Sequence, residues 1–567
     1  MVSSYIGNSL LPFPPAGFPD FANISWQGGA LDTGPIPAMR WSDYKAFERA
    51  GSRQFDKPRH NVALRLDQAA CALLMGDDSR LDELHDLIWA ICEQSNWWLA
   101  AHSGTAPIDL CVAMTGEAFA LIEAAFGPRL DPEVRARMVR EAQARVIEPF
   151  LNPPVKYWWA GSTNNWNAVC SAGIGISALA FEKDAARLDA VFAKIFDGLP
   201  RFLDGFTEDG GCAEGPGYWS YGMSHFAALA CALRHFTRGE VDIAADPKWK
   251  RVAAYPLAVA AAPHHSLAFS DCHDVRAPMP LSIAEMMRAL TGGAGLFARC
   301  EFRDGKPVAS RFIDLLMAPA SVPDFDPDAW RADSHLPDLA IAKLGGAGGF
   351  VLGAKAGHNN EHHNHNDVGA FLLFQDGAQW LADPGAPIYS ANTFNERRYE
   401  SLFTSSRGHC VPVIDGRYQS AGEQFRGTLA VSESGGFKRA AIEFAGAYDI
   451  PELAVLAREI AVSTTEPEMA LRDHFQFNNG VGLPVREAFI TSLPTEQLSE
   501  TEVALTHPSG RRGILRALAS GAFSIEELRE ESKESPAGIL FRRILFTPSQ
   551  TASEQTLSFC FRAMRNG

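Results

Sequence analysis

Residues 362–382 read His362-His363-Asn364-His365-Asn366-Asp367, then Val368-Gly369-Ala370, then Phe371-Leu372-Leu373-Phe374-Gln375-Asp376-Gly377-Ala378-Gln379-Trp380-Leu381-Ala382. The second half of this stretch decides the fold of the C-terminal part. Two apolar runs separated by Asp-Gly predict a β-hairpin, because both central positions of the tight turn need positive φ and this pair tolerates it. The first half carries the chemistry. Imidazole nitrogen and carboxylate oxygen are ligands that a zinc-like ion accepts, and histidine also moves protons near neutral pH. Read as a strand, the segment puts His363 and His365, at i and i+2, on one face. Asp383 then falls at the far end of the returning strand, and Arg407-Gly408-His409 adds another imidazole. Singly, each histidine is an ordinary surface or core residue. As a group with Asp367, Asp383 and His409 they point to a metal site, and to an enzyme.

Outward from the hairpin, 350–355, 411–414, 426–432, 437–444, 453–463 and 469–478 read as further strands. Strand after strand with short turns predicts an antiparallel sandwich. Before the link Val322-Pro323-Asp324-Phe325-Asp326-Pro327 the period is helical, over 60–76, 80–96, 131–148, 164–182, 184–204 and 216–238. Leu110, Met114, Ala118 and Leu121 fall on one helical face. Breaks such as Gly127-Pro128 and Asp209-Gly210-Gly211 separate these segments. Helical hairpins of this kind bury their apolar faces only against one another, which predicts a curved array or a closed toroid. The boundary is set near residue 330, giving a wrap over 1–57, a helical domain over 58–330 and a sandwich over 331–567.

The 567 residues exceed one hydrophobic core, so two or three domains are expected. The net charge is −16 and the pI about 5.5, which argues against nucleic acid or a membrane surface as partner. Ten scattered cysteines without a CxxC pair read as reduced thiols. With no signal-peptide pattern at the start, the expected compartment is the cytoplasm, or the periplasm if a leader was trimmed. No run of about 18 apolar residues suggests a transmembrane helix.

Two further motifs lie in the helical half. In Thr163-Asn164-Asn165-Trp166-Asn167 a helix N-cap accounts for one asparagine and leaves two without a reason. Asp209 to Gly222 is a Gly-rich turn entering a helix, with Glu214, Tyr218, Trp219 and Tyr221. Those aromatics are packing groups, or they line a sugar-binding cleft. Arg397-Arg398-Tyr399 reads either as a solvated charge pair or as forked guanidinium groups for a carboxylate or sulfate. Tyr389 could stack on a sugar. His264-His265 and Asp271-Cys272-His273 line the cleft or serve as caps and core groups.

The order NNWN, DGG-x-x-EGPGYWSYG, HNHND-x-G-x-F, DPG and SSRGHC resembles the heparinase II/III-like polysaccharide lyases, which include heparin/heparan sulfate lyases and oligo-alginate lyases. The resemblance runs from about residue 60 to the C-terminus. It implies an α+β multidomain fold, an incomplete (α/α) toroid followed by an antiparallel β-sandwich. It implies a carbon–oxygen lyase that cleaves a uronate-containing oligo- or polysaccharide by β-elimination, with exolytic action on oligosaccharides the expected mode. The matching positions make Asn165 the amide that neutralises the uronate carboxylate, with Asn167 as second choice. Tyr218 matches the catalytic tyrosine, and Tyr221 matches it nearly as well. His363 becomes the base or a carboxylate partner. Asn164, Trp166, Asn167, Glu214, Trp219, Tyr389, Arg397 and Arg398 become substrate contacts. His365, Asp383 and His409 match the ligands of a structural zinc, and no organic cofactor is implied. One position departs from the pattern: several relatives have a catalytic histidine where this chain has Trp166. Two alternatives are an (α/α)-barrel glycoside hydrolase using Glu214 and Asp209 and a non-catalytic, metal-stabilised carbohydrate-binding protein. The sequence leaves the oligomeric state open and admits a homodimer.

Overall fold

In the computed structural model, which describes residues 1–11, 21–26, 34–50, 56–272, 276–361, 363–480 and 482–564, the change of sequence pattern is also a change of architecture. His273 and His362 lie outside the described residues. Chain contacts give two compact units. The first comprises Met1–Phe206, Trp219–Ala253 and Met279–Phe325; the second comprises Thr207–Tyr218, Ala254–Pro278 and Asp326–Gly567. Two segments of the helical half, 207–218 and 254–278, thus count with the second unit.

The first unit is built on the helices Asp56–Leu74, Leu81–Glu93, Leu110–Phe126, Pro132–Ala142, Asn165–Phe181, Ala185–Gly198 and Pro216–Phe236. Asp109, Asp131, Asn164 and Asp184 each accept a backbone N–H at a helix start, satisfying donors that the first turn leaves without an intrahelical partner. Asn165–Phe181 is buried nearly all round, as an apolar helix with no polar stripe must be. It packs on Leu110–Phe126 at backbone distance. A Cβ built on Gly173 would lie 2.2 Å from the Ala113 carbonyl oxygen, so no larger residue fits there.

The expected face of Leu110–Phe126 is the buried one only at Leu121. Met114 is exposed and Leu110 and Ala118 are half-buried, whereas Val112, Ala113, Gly116, Phe119 and Ala120 form the core contact. The helix is apolar on every side, so periodicity alone does not select a face. Leu110–Arg129 is also long and apolar enough to cross a bilayer by length and composition, and about two-thirds of it is buried inside this unit as a core helix. At the N-terminus, Ser3 donates its backbone N–H to Asp189 (2.9 Å) and Asn8 donates to the Phe236 carbonyl (2.7 Å).

The second unit is antiparallel throughout its described strand pairs. The hairpin read from the sequence is present. Phe371–Gln375 pairs with Ala378–Leu381 across Asp376 (φ 47°) and Gly377 (φ 83°), the twin positive angles that Asp-Gly accommodates. It belongs to a five-stranded sheet with Phe350–Lys355, Ile341–Gly345 and Ser334–Leu336. A nine-stranded sheet contains Gly422–Ser434, Phe437–Glu443, Leu453–Ser463, Glu468–Phe477 and Glu554–Ala563 as successive neighbours. A four-stranded sheet completes the framework around Val485–Thr491. Burial alternates along Glu468–Phe477 and Arg512–Ala517, so one face of each strand meets the core. That core contains Trp380, Phe489, Phe546, Phe559 and Phe561. Within it, the Arg458 guanidinium joins the carboxylates of Asp473 and Glu487 and donates to the carbonyls of Gly369 and Cys410. Burial and the neighbouring Asp473 carboxylate push the Glu487 carboxyl well above its usual range.

Candidate active site and metal-binding group

Asp271 is the hub of the second unit's polar centre. It ends the apolar run Leu267-Ala268-Phe269, follows a turn residue at positive φ (Ser270, 61°) and is fully buried. A buried carboxylate must be compensated, and here four side chains do so. Its Oδ2 accepts from His363 Nδ1 (2.8 Å) and from the Tyr389 hydroxyl (2.9 Å), and its Oδ1 accepts from His365 Nε2 (2.9 Å). Arg398 Nη2 reaches both oxygens at 3.0 and 3.1 Å. Burial alone would raise this carboxyl. The hydrogen bonds from His363 and His365, with the charges of His365 and Arg398, outweigh it and hold Asp271 well below the carboxylate range.

The segment His363–Asp367 is not a strand, contrary to the expectation from i, i+2 spacing. It is a turn in which His363 takes a left-handed conformation (φ 57°). A non-glycine residue there carries about 1–3 kcal/mol of strain. The physical reason is the target: the two imidazoles must reach opposite oxygens of one carboxylate, which parallel side chains on a flat strand face would not do. Asp367 is not in the imidazole group either. Its Oδ1 pairs with the buried Lys355 ammonium at 2.6 Å. Asn364, inside the turn, accepts from the Tyr399 hydroxyl (2.9 Å), and its carbonyl accepts from Arg398.

Tyr218 completes the cluster. Its ring stacks on His363 with centroids 4.2 Å apart, and its hydroxyl lies 2.8 Å from that of Tyr389. Since Tyr389 donates to Asp271, Tyr218 is the donor between the two phenols. Burial raises both phenols above their ordinary range, with the Asp271 charge acting in the same direction, so both stay protonated near neutral pH. Glu214 Oε2 lies 3.6 Å from His363 Nε2, on the far side of that ring from Asp271. Arg398 is committed to Asp271, Asn364 and Thr393, while Arg397 is exposed and paired with Glu400. Of the expected guanidinium fork, one arm scaffolds the site and the other is a surface ion pair.

His365, Asp383 and His409 form a second, contiguous group, fully buried, with one ligand atom of each within 4.8 Å of the others. The donor set fits a zinc-like ion. His365 uses Nε2 on Asp271, and its buried Nδ1 has no hydrogen-bond partner among the described residues. His409 presents Nδ1 to Asp383 Oδ2 (2.8 Å) while its Nε2 donates to the Phe403 carbonyl (3.1 Å). Outer nitrogens held by a carboxylate and a carbonyl, with inner nitrogens facing a carboxylate, are how proteins orient metal-binding imidazoles. The Asp383 loop is fixed by Gly385 (φ 65°), whose absent Cβ would meet the Cys272 carbonyl oxygen at 2.4 Å. The Ala386 N–H donates to that same carbonyl.

The helical unit holds the other expected residues. Asn164 is the N-cap, accepting from the Trp166 N–H at 3.1 Å. Asn167, expected on the substrate, is fully buried and spans Ser162 O (2.9 Å) and Gly198 O (2.8 Å), so it ties helix ends together. Trp219, also expected on the substrate, is a core indole donating to the Val252 carbonyl. Asn165 is 6% exposed. Trp166 is half-buried between His102 and Trp158. Tyr221 is set against His225 and donates to the Met114 sulfur at 3.3 Å.

A family model described as Heparinase II/III-like, C-terminal matches residues 331–527. Among solved structures the chain is similar to heparinase III, with 13% identity, covering 91% of this chain and 78% of that one at a TM-score of 0.62. It is similar to heparan sulfate lyase HepC from Pedobacter heparinus, with 13% identity, 97% and 86% coverage and a TM-score of 0.57. A further heparinase III matches with 12% identity over 100% of this chain and 88% of that chain, at a TM-score of 0.60. A comparison with curated protein sequences gave no match. Likeness at this identity shows a shared fold, and the class is the one expected: an (α/α) toroid followed by an antiparallel β-sandwich. Residues 331–527 thus match a heparinase II/III-like C-terminal domain.

Proposed function

We propose that the protein is a lyase that cleaves a uronate-containing oligo- or polysaccharide by β-elimination. One observation carries the reading: an imidazole oriented by a buried carboxylate, His363 on Asp271, stacked against a protonated phenol, Tyr218. With Nδ1–H bound to Asp271, His363 keeps Nε2 as the atom that accepts a proton. In the reaction it takes the C5 proton of the uronate, a C4–C5 double bond forms, and the C4–O bond breaks. The Tyr218 phenol gives its proton to the departing oxygen, a general-acid step. Tyr218 could act as a base only after losing a proton that burial makes it hold, so acid and base fall to different residues. Trp166, where relatives have histidine, then leaves no gap.

Tyr389 and Arg398 are positioning groups in this scheme, since both act through Asp271. Asn165 is the amide proposed to neutralise the uronate carboxylate, as an oxyanion-hole donor would. Zinc held by His365, Asp383 and His409 would supply a structural cross-link that fixes the His365 ring and, through it, Asp271. The net charge of −16 favours short oligosaccharides over long polyanions, and exolytic cleavage is part of this proposal.

The hydrolase alternative needs two carboxylates flanking the bond. Asp209 is engaged by backbone donors, accepting from the N–H of Gly211 in its own turn (3.1 Å) and from the N–H of the distant Asp338 (2.9 Å), which disfavours it as a partner for Glu214. The test is a panel of alginate, heparan, hyaluronan, chondroitin and glucuronan oligosaccharides followed by ultraviolet absorbance. Elimination creates an absorbing double bond and hydrolysis does not. Reducing ends without absorbance would replace the lyase reading with hydrolysis, and no turnover on any member would leave a binding protein.

A further inference from the structure

The loop that supplies two of the partners of Asp271 also walls a cavity. Tyr389 and Arg398, and with them Tyr399, which donates to Asn364, all lie between residues 387 and 404. The same segment contributes Ser390, Asn392, Thr393 and Arg397 to a cavity of about 470 Å3, and the turn Glu531–Glu534 contributes Lys533 and Glu534. None of Asp271, His363, Tyr218 and Tyr389 lines it. Among the described residues, Arg398 is the group common to this cavity and to the Asp271 cluster. All of these residues belong to the second unit.

The two chain segments are tied at fixed points. The Ile388 N–H donates to the Glu534 carbonyl at 2.7 Å, the Ser401 hydroxyl donates to the Glu534 carboxylate, and Arg407 pairs with Glu531 at 2.8 Å. Arg398 commits Nε to the Asn364 carbonyl and Nη2 to Asp271, while Nη1 donates to the carbonyl of Thr393, a cavity residue, at 3.0 Å. Nη1 carries two hydrogens, and the contacts among the described residues use one of them. Of the charged side chains that line the cavity, Arg397, Arg398 and Lys533 are cations and Glu400 and Glu534 are carboxylates. Glu400 is already held by Arg397 and Glu534 by Ser401, which favours an anionic occupant over a cationic one.

We propose that this cavity is an effector site for a small hydroxylated carboxylate, a single uronic-acid sugar of the kind that the cleavage releases, and that its occupant regulates the reaction through Arg398. The identity of the occupant rests on the uronate-glycan reading. The volume lies within the range of roughly 300–1,000 Å3 usual for small-ligand sites. The carboxylate meets Arg398 Nη1 and Lys533 in charge-assisted hydrogen bonds, and the sugar hydroxyls meet Ser390 and Asn392. Asp271 is a buried carboxylate that depends on its partners. A second carboxylate on the same guanidinium draws Arg398 from Asp271 and shifts the loop that carries Tyr389, which loosens the order of His363 and Tyr218. A ligand moves such an equilibrium only by its differential affinity for the two arrangements, and here the Arg398 contact supplies the difference. Since the reacting groups do not line the cavity, the effect falls on kcat and leaves KM unchanged.

The test pairs binding with turnover in the full-length protein. Calorimetric titrations with glucuronate, with glucose and with inorganic sulfate compare wild type, Lys533→Glu and Asn392→Ala. Both side chains are exposed, so circular dichroism should report an unchanged fold. The expected result is glucuronate binding weakened at least about tenfold in each variant, with glucose bound by none of the three. On the best panel substrate, glucuronate should lower the kcat of wild type at constant KM, and both variants should lose this inhibition while matching wild type without effector. Equal glucuronate affinity in all three proteins would overturn the proposal, as would purely competitive inhibition, which places the acid among the reacting groups. Sulfate that reproduces both binding and inhibition would overturn it too, by removing any need for a sugar. Variant-sensitive glucuronate binding to a wild type that cleaves no panel member would support the cavity and remove the lyase reading instead.

Discussion

The ring of Tyr218 lies 4.2 Å from that of His363 and within 23° of parallel. Both residues belong to the second unit, Tyr218 at the start of the helix Pro216–Phe236 and His363 in a left-handed turn, so neither chain segment defines the pair alone. Stacking sets the phenol hydroxyl and the imidazole nitrogens side by side, where both can face one sugar. Asp271 then gives each a different task. It fixes the imidazole directly, and it engages the phenol through Tyr389, so a single buried carboxylate orders the proposed base and the proposed acid together.

Replacing Tyr218 by phenylalanine removes the proton and keeps the ring. Stacking on His363 survives, and Tyr389 loses only the hydrogen bond that it accepts. Turnover should fall by about 10²–10⁴, the usual contribution of a general acid, with Tm and oligosaccharide affinity near wild type. Measured kcat on the best panel substrate, beside a thermal melt, checks this. Full turnover in the variant would move the role to Tyr221.

Asp271→Asn tests the hub. An amide can accept from only one of the two imidazoles, so one histidine loses its orientation and the site loses the negative charge that balances Arg398. We expect kcat to drop at least about 100-fold, and metal affinity to fall about 10- to 100-fold because His365 loses its outer partner. Kinetics and metal content should therefore change together. A variant with normal metal content and normal kcat would leave Asp271 a packing residue.

The sequence made some of this site legible and hid the rest for definable reasons. The hairpin at Asp376-Gly377 was readable because turn chemistry is local; metal-compatible residue types marked a wider group that also took in His363 and Asp367, and only the family resemblance narrowed it to His365, Asp383 and His409. Asp271 was undervalued, since an aspartate in a loop becomes informative only when its burial is known. A signal was available: a carboxylate closing the apolar run Leu267-Ala268-Phe269 has to be paired if that run is buried. Asn167 and Trp219 misled for the converse reason. Both belong to motif-like strings, and both face inward to satisfy backbone carbonyls. For Met114 the helix period was right, but an apolar helix offers no polar face to mark the outside.

His365→Ala should lower metal content and thermal stability in step. The substitution deletes one donor of the buried trio and leaves the Asp383–His409 pair without its third member. Elemental analysis of wild type is expected to give about one zinc-like ion per chain, and a chelator should lower its Tm by several degrees while barely affecting the variant. Wild type without a stoichiometric ion, or indifferent to chelation, would remove the metal from the proposal and leave the trio as a hydrogen-bonded structural group.

A pH prediction follows from Asp67, which is remote in sequence from both groups. Its carboxylate accepts the Phe312 N–H at 3.1 and 3.2 Å, and burial raises its pKa to about 6 despite that bond and the nearby Arg311 charge. The unfolded value is about 3.9. Below pH 4 both states are protonated, and the group has no effect on stability. Between about 4 and 6 the unfolded chain releases the proton while the folded chain keeps it, which favours unfolding progressively. Above about 6 both are ionised and the destabilisation is complete, at most about 3 kcal/mol and less where solvent reaches the side chain. Asp67→Asn removes this titration while keeping an acceptor for Phe312. The Tm of the variant minus that of wild type should therefore grow more positive from pH 4 to pH 7, as read by thermal melts across that range. A difference that is flat with pH, or that shrinks as pH rises, would mean that Asp67 stays ionised in the folded protein.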